Sequence, residues 1–277
     1  MASSANSGDQ AFVHFPLRHR LTAWVSQHVF DQSVYTVRHG LMAGLKRKGG
    51  LGFLPAFLRR STIENPEYLF WKNLDFQKQV VYDIGAFQGL LTCFFARHAQ
   101  QVICYEPNPP TYTRLRENVA LNGFTNVTHR PVGVGSQAGS FTMLFNPLMP
   151  GGASLDSVRQ AELQKDPHAQ RQEIPIVTLD QDIAQNQLPI PHFIKVDVEG
   201  LELDVLQGAR ETLRLHHPTL FLEMHGETIN EKIRKVHALY QFLAEVGYTH
   251  VEHIETKTQL NATNTQLAAE GHLFCHC

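Results

Sequence analysis

Residues 80–89 read V-V-Y-D-I-G-A-F-Q-G, and L-L-T-C-F-F-A-R-H follows directly. A β-branched run enters an acidic residue, a glycine-bearing turn follows, and the next stretch is apolar and long enough for a helix. This is the strand–turn–helix unit that opens a nucleotide-binding α/β sheet. Asp83 stands at the carboxyl end of the strand, where open α/β sheets take their ligands. Gly85 and Gly89 permit a sharp turn and a close approach of backbone to ligand. The turn is not G-x-G-x-x-G, which disfavours a pyrophosphate cradle.

A second strand, V-I-C-Y-E-P-N at 102–108, also ends in a carboxylate, Glu106, 23 positions beyond Asp83. A carboxylate about 20 residues on takes ribose hydroxyls in dinucleotide folds, because it accepts two hydrogen bonds from a vicinal diol. Acidic groups at both strand ends suit a ligand with a ribose and a positive charge but no phosphate, and S-adenosylmethionine has that chemistry. The plainer alternative makes Asp83 a helix cap and Glu106 a solvated strand end.

A chain of 277 residues, 43% hydrophobic and 18% charged, is long enough for one large α/β domain with an appended segment. Cys93, Cys104, Cys275 and Cys277 form no secreted disulfide framework. No apolar run approaches 18 residues, and the polar start M-A-S-S-A-N-S-G-D-Q lacks the apolar core of a signal peptide. These features lead us to expect a cytoplasmic protein. Residues 1–60 carry eight Lys or Arg against Asp9 and Asp31, while the remainder holds sixteen basic and twenty-four acidic residues. A core with that acidic excess argues against nucleic acid as a partner.

Residues 1–10 are expected to be disordered, 11–63 to form a helical arm, and 64–277 to form the main domain. The arm reading rests on Phe12, Phe15, Trp24, Val25, Val29, Phe30, Val34 and Leu41 as apolar faces over 11–45, with a short further helix at 53–60. Such an arm can cap the core, form a subunit interface, or lie on an anionic membrane surface. From residue 80, strands are expected at 80–83, 101–105, 126–132, 140–145, 174–177, 192–197, 218–224, 248–254 and 271–276. Helices are expected near 89–98, 109–121, 202–215 and 230–246. The alternation predicts a mostly parallel sheet with helices on both faces. The stretch 146–172, rich in Pro and Gly, reads as a long loop, and residues 146–157 within it are expected to close over a bound acceptor, with Ser154 offering a hydroxyl.

Asp197 ends the strand H-F-I-K-V-D, which fold logic places beside the first strand at the topological switch point. Glu223 and His225 close the next strand, two residues apart and so on one face. Asp197, Glu223 and His225 are therefore the catalytic candidates, with His225 as the preferred base because its pKa suits work near neutrality. The same three residues also have the makeup of a magnesium or manganese site, although nothing in the sequence demands a metal. Glu199 and Glu202 read as favouring a helix N-terminus. Lys195 shares the face of Asp197 and needs a carboxylate partner, for which Glu106, Asp83 and Glu223 are all candidates. Cys275 and Cys277, even with His272 or His276, lack the spacing of a zinc site.

The chain resembles the FkbM family of S-adenosylmethionine-dependent methyltransferases. The matching pieces are D-I-G-A-F-Q-G at 83–89, Y-E-P-N-P at 105–109, L-R-E-N-V-A-L-N-G at 115–123, G-G-A-S-L at 151–155, V-T-L-D at 177–180, I-K-V-D-V-E-G-L-E-L-D-V-L-Q-G-A at 194–209 and L-E-M-H at 222–225. The resemblance covers about residues 64–252. It implies a class I methyltransferase (Rossmann-like) three-layer sandwich with a mostly parallel seven-stranded sheet, the last strand antiparallel. It also implies O-methylation of a hydroxyl on a sugar, glycan or secondary metabolite. The cofactor set it suggests is Asp83, Gly85, Ala86, Gln88, Gly89, Glu106, Pro107, Asn108 and Asp197. Two rivals stay open: an NAD-dependent oxidoreductase, and a catalytically silent cofactor-binding module that recruits a partner through its basic arm.

Overall fold

The computed structural model describes residues 32–49, 66–146, 149–154, 169–226 and 228–277. In chain order the elements are β1 (Val34–Thr36), β2 (Lys46–Lys48), α1 (Pro66–Asn73), β3 (Val80–Ile84), α2 (Leu90–His98), β4 (Gln101–Tyr105), α3 (Pro109–Leu121), β5 (Val127–Arg130), β6 (Gly133–Val134), β7 (Gly139–Asn146), β8 (Met149–Ser154), β9 (Gln170–Val177), α4 (Leu179–Asn186), β10 (Phe193–Val196), α5 (Glu202–Gln207), α6 (Arg210–His216), β11 (Thr219–Glu223), α7 (Ile229–Glu245), β12 (His250–His253), β13 (Thr258–Gln259) and β14 (His272–His276).

The main sheet runs β13-β12-β14-β11-β10-β3-β4-β5. The pairs from β5 across to β11 are parallel, and β14 lies antiparallel between β11 and β12. Seven of these strands form the expected class I arrangement. The eighth, β13, is a two-residue edge strand paired with β12. The chain leaves β3 for β4 and β5 on one side, then returns to β10 and β11 on the other. The crevice between β3 and β10 is therefore the switch point.

Alternation along the strands separates two cores. Tyr82, Ile84, Ile194, Val196, Leu220 and Leu222 face the layer that includes α5, α6 and α7. The opposite parity, with Val81, Phe193 and Phe221, packs on Trp71, Phe76 and Phe95 beneath α1 and α2. Trp71 and Phe221 rings are 4.2 Å apart. Helix α1 has no counterpart in our sequence reading. Its aromatic side chains serve this cluster, and its polar anchor is local, Trp71 Nε1 donating to Glu67. Asp83, Lys195, Asp197, Glu223 and His225 share the parity of the aromatic face. The apolar parity continues unbroken below them, so the polar groups gather only at the strand ends.

Several expectations are corrected. Within the stretch read as helical over 11–45, residues 34–36 form a strand, and Lys46–Lys48 pair with them antiparallel. The positive-φ turn at Gly40 and Gly44 reverses the chain, so the apolar residues serve a hairpin instead of a helix face. The basic run is fastened to the core: Lys46 and Lys48 amides donate to Asn122 and Asn118, and Lys48 Nζ pairs with Glu117 at 2.6 Å. The disordered start, the helices proposed over 11–31 and the helix at 53–60 lie outside the described residues. The strands expected at 140–145 and 174–177 belong to a separate four-stranded sheet, β6-β9-β7-β8. Its buried face is Met143, Phe145, Ile174 and Ile176. Part of the supposed 146–172 loop is thus strand, β8 and the start of β9, and residues 147–148 and 155–168 lie outside the described residues.

The helix expected over 202–215 is two helices, broken at Gly208-Ala209. A Cβ on Gly208 would lie 2.0 Å from the carbonyl oxygen of Gly135, so the α5–α6 joint packs directly on the backbone leading out of β6. Gly208→Ala is expected to lower unfolding free energy by about 1–3 kcal/mol, the cost of overpacking. Gly139→Ala, whose methyl would sit 3.5 Å from Phe141, should change little. Equal midpoints in denaturant for both variants would show that the joint tolerates the methyl group.

Candidate active site

The turn after β3 is built on a close approach. Gly85 has φ +77°, and a Cβ there would lie 1.8 Å from the carbonyl oxygen of Asp197. Glycine therefore lets the ends of β3 and β10 meet backbone to backbone. Gly85 and Ala86 amides both donate to the carbonyl of Tyr105, tying the turn to β4 as well. Gly89 carries positive φ at the start of α2. Phe87 (φ 49°) and, after β10, Glu199 (φ 57°) occupy the left-handed region without being glycine. Such backbone persists where its surroundings enforce it, and it gathers at functional sites.

Beneath the turn, Asp83 is fully buried. One of its oxygens accepts from Thr92 Oγ1 at 2.5 Å, and the other lies 3.4 Å from Lys195 Nζ. Lys195 is Asp83's direct neighbour in the β3–β10 register. Its ammonium donates to Gly85 O at 2.8 Å and lies 3.3 Å from Asp197 Oδ2. Of the three partners considered for Lys195, the structure selects Asp83 and adds Asp197. Burial opposes the charge of Lys195, but Asp197 and Asp83 outweigh it and hold its pKa above the usual range. Burial alone would raise Asp197, yet Lys195 and then His225 keep its carboxyl below the usual range.

On the β4 side, Glu106 is 7% exposed. Its carboxylate accepts from the amides of Phe87 (2.8 Å) and Asn108 (2.9 Å) and from Thr111 Oγ1 (2.8 Å). Burial pushes its pKa up to about 7, although these hydrogen bonds pull the other way. Asn108, 2% exposed, has both side-chain amide atoms buried without a partner among the described residues. A buried amide left so costs free energy unless a ligand or water satisfies it. Pro107 is half-buried between the two. Gln88 is turned elsewhere: its side chain accepts from Arg47 of β2 at 3.0 Å, and its carbonyl accepts from Asn118.

On the β11 side, Asp197, Glu223 and His225 come together, with one ligand-type atom from each within 4.8 Å of the others. His225 Nδ1 bonds to Glu202 at 2.9 Å, and Glu202 is 2% exposed. Its Nε2 faces Glu223 Oε1 at 3.5 Å, Glu199 Oε2 at 3.7 Å and Asp197 Oδ1 at 3.8 Å. Burial disfavours the imidazolium, but the Glu202 hydrogen bond and the charges of Glu202, Glu199 and Glu223 prevail and push His225 up to about 9. Burial, then the charge of Asp197, raises Glu223. Behind Glu223 stands His272, its Nε2 3.9 Å from Glu223 Oε2 and its Nδ1 held by Glu255 at 2.6 Å.

Sequence reasoning missed Glu202 as the orienting partner of His225, and it missed the Glu255–His272 pair entirely. Each pair joins residues far apart in the chain, so no local spacing announces it. The terminal cysteines do not converge on a site: Cys275 is buried in the sheet and Cys277 donates to Gly247 O. Removing Lys195 should expose the logic of the switch point. Lys195→Met is expected to destabilise the fold by about 3–5 kcal/mol, because two carboxylates lose their buried counter-charge. Asp83→Asn in the same chain should recover part of that loss in denaturant melts. Additive losses would mean that the two side chains are not coupled.

The family description "Methyltransferase FkbM domain" matches residues 83–249, more than half of the chain. "Methyltransferase 1" of Beauveria bassiana is 28% identical over 145 residues, covering 46% of this chain and 57% of that protein. "Hexuronic acid methyltransferase AglP" of Haloferax volcanii is 29% identical over 138 residues, covering 50% of this chain and 53% of that protein. The chain thus spans about half the length of these curated relatives. A crystal structure of methyltransferase FkbM from Methylobacillus flagellatus superposes with a TM-score of 0.47 at 18% identity, covering 77% of this chain and 50% of that one. With a match that runs from Asp83 through the catalytic candidates to Thr249, the chain belongs to the FkbM methyltransferase domain family.

Proposed function

We propose that this protein transfers the methyl group of S-adenosylmethionine to a hydroxyl oxygen of a sugar, glycan or secondary metabolite. The observation that carries the reading is the pairing of two sites across one switch point. A half-satisfied polar seat lies on the β3–β4 side, and a carboxylate–imidazole cluster lies on the β10–β11 side. The named activity of the Haloferax volcanii relative favours a sugar, with a hexuronic acid as the first acceptor to try.

The seat fits the cofactor. Glu106 is placed to accept the ribose hydroxyls, and the unpartnered amide of Asn108 can meet the nucleoside. Gly85 and Ala86 offer bare backbone at the turn, with Gly89 and Pro107 shaping its flanks. Asp83, fully buried, acts from beneath by holding Lys195, and Gln88 acts by tying the turn to β2. When bound, S-adenosylmethionine would supply a methyl group activated by its sulfonium, with a neutral thioether as the leaving group.

The cluster handles the acceptor. Lys195 keeps Asp197 ionised, so Asp197 accepts a hydrogen bond from the hydroxyl and orients it. In the ion-free protein His225 carries its proton near neutrality, so it is not the free base expected from sequence and serves to position the carboxylates around it. Glu223, the carboxylate whose proton affinity burial raises, takes the hydroxyl proton. Most of the rate gain comes from orientation, since the electrophile is already activated.

Incubation with S-adenosylmethionine and a panel of uronic acids, neutral glycans and polyketide alcohols, read by S-adenosylhomocysteine release, tests the reading. Release on none of them, by protein that binds the cofactor, would favour a silent binding module. For the seat, Glu106→Gln should weaken S-adenosylhomocysteine binding by about 1–3 kcal/mol. Because Glu106 titrates at about 7, wild-type affinity should fall as pH drops through that value, and the variant should lose this dependence. Stability of the free protein moves the other way. A carboxyl raised on folding contributes most below its unfolded pKa, and the contribution is lost as pH rises through about 7. Calorimetry at several pH values checks both, and unchanged affinity in the variant would remove Glu106 from the seat.

A further inference from the structure

We propose that Asp197, Glu223 and His225 are ligands of a divalent cation of the manganese class, seated beside the switch point. The inference rests on the methyl-transfer reading only for the ion's role, not for its existence.

Distance comes first. His225 Nε2 faces three carboxylate oxygens at 3.5, 3.7 and 3.8 Å. These separations are too long for hydrogen bonds. They lie in the range of co-ligands of one ion: atoms held about 2.2 Å from an octahedral centre lie about 3.1 Å apart when adjacent and about 4.4 Å apart when opposite. The three ligand atoms of Asp197, Glu223 and His225 also lie within 4.8 Å of one another.

The supporting contacts point the same way. His225 is fixed through Nδ1 by a nearly fully buried carboxylate, Glu202, whose Oε1 also accepts from the amide of Gly200. Metal-binding imidazoles are oriented in this manner, with the far nitrogen turned to the ion. Each carboxylate ligand splits its oxygens. Asp197 gives Oδ2 to Lys195 and turns Oδ1 to the centre, while Glu223 turns Oε1 to the centre and Oε2 towards His272.

Charge is the third argument. Asp83, Asp197, Glu199, Glu202 and Glu223 meet Lys195 and His225 at this strand edge. The ion would displace the proton from His225, leaving five carboxylates against the one ammonium of Lys195, and the reacting hydroxyl itself carries no charge to offset that excess. A divalent cation answers that excess. One imidazole among carboxylate oxygens suits manganese better than magnesium, which prefers oxygen ligands alone. In the transfer reaction the ion would anchor the acceptor oxygen. Glu223 Oε2, the oxygen facing His272, would remain available for the hydroxyl proton.

The test is Mn2+ titration of the full chain after chelator treatment, followed by the electron paramagnetic resonance signal of free Mn2+, without acceptor. Wild type should take up one ion per chain. Glu223→Gln and Asp197→Asn should each lose that uptake. Glu202→Gln should weaken it by roughly 10–100-fold, because it removes the group that orients His225. Glu223 is 39% exposed, so its variant should keep the wild-type melting temperature and remain a fair test if Asp197→Asn unfolds. No uptake by wild type at millimolar Mn2+, or uptake unchanged in folded Glu223→Gln, overturns the proposal. Calorimetry with S-adenosylhomocysteine runs in parallel. Cofactor binding without Mn2+ uptake sinks the ion and spares the methyl-transfer reading, and the reverse result does the opposite.

Discussion

A single buried ammonium organises this site. Lys195 reaches from β10 to Asp83 on β3, to Asp197 at its own strand's end and to the carbonyl of Gly85. A charge this deep is tolerated only with its partners in place, so it pins the two strands in one register. A slip of one residue would turn Lys195 into the apolar face that Ile194 and Val196 occupy. The same junction needs Gly85, because the carbonyl of Asp197 fills the space where any other side chain would begin. Electrostatics and the absence of one Cβ thus hold the switch point together.

From that junction the chemistry divides by side. Towards β4 the groups are donors and acceptors suited to a nucleoside: the Glu106 carboxylate with its three donors, and the unsatisfied amide of Asn108. Towards β11 they are charged and coupled, with His225 between Glu202 and a ring of carboxylates. Strand parity makes the division clean. Asp83, Lys195, Asp197, Glu223 and His272 all carry the parity of the aromatic face, and Trp71, Phe76 and Phe221 fill that face below them.

Peripheral elements brace the same turn. β2 bonds to α3 through Asn118, Asn122 and Glu117, and Arg47 reaches Gln88 in the glycine turn. The basic run at 46–48 is therefore committed to the core. The Gly208 contact with Gly135 does similar work on the opposite layer, docking the small sheet against the α5–α6 joint.

The strand–turn–helix at 80–98, the acidic strand ends at 83, 106 and 197, and the Glu223–His225 alternation were all legible because each is local. Period-two patterning, a glycine turn and a spacing along one chain segment need no knowledge of neighbours. The separate sheet β6-β9-β7-β8 was not legible, since its strands look no different from those of the main sheet and only pairing assigns them. Nor was the hairpin at 34–48, whose apolar residues satisfy a helical period equally well. The family was also a property of the sequence, carried by contiguous motifs. Which way each functional side chain turns was decided only by tertiary structure. Glu202 holds His225 from 23 residues away, Glu255 holds His272 from 17, and Lys195 holds Asp83 from across a strand pair. Such contacts are set by which strand ends pack together, and no periodicity along the chain encodes that.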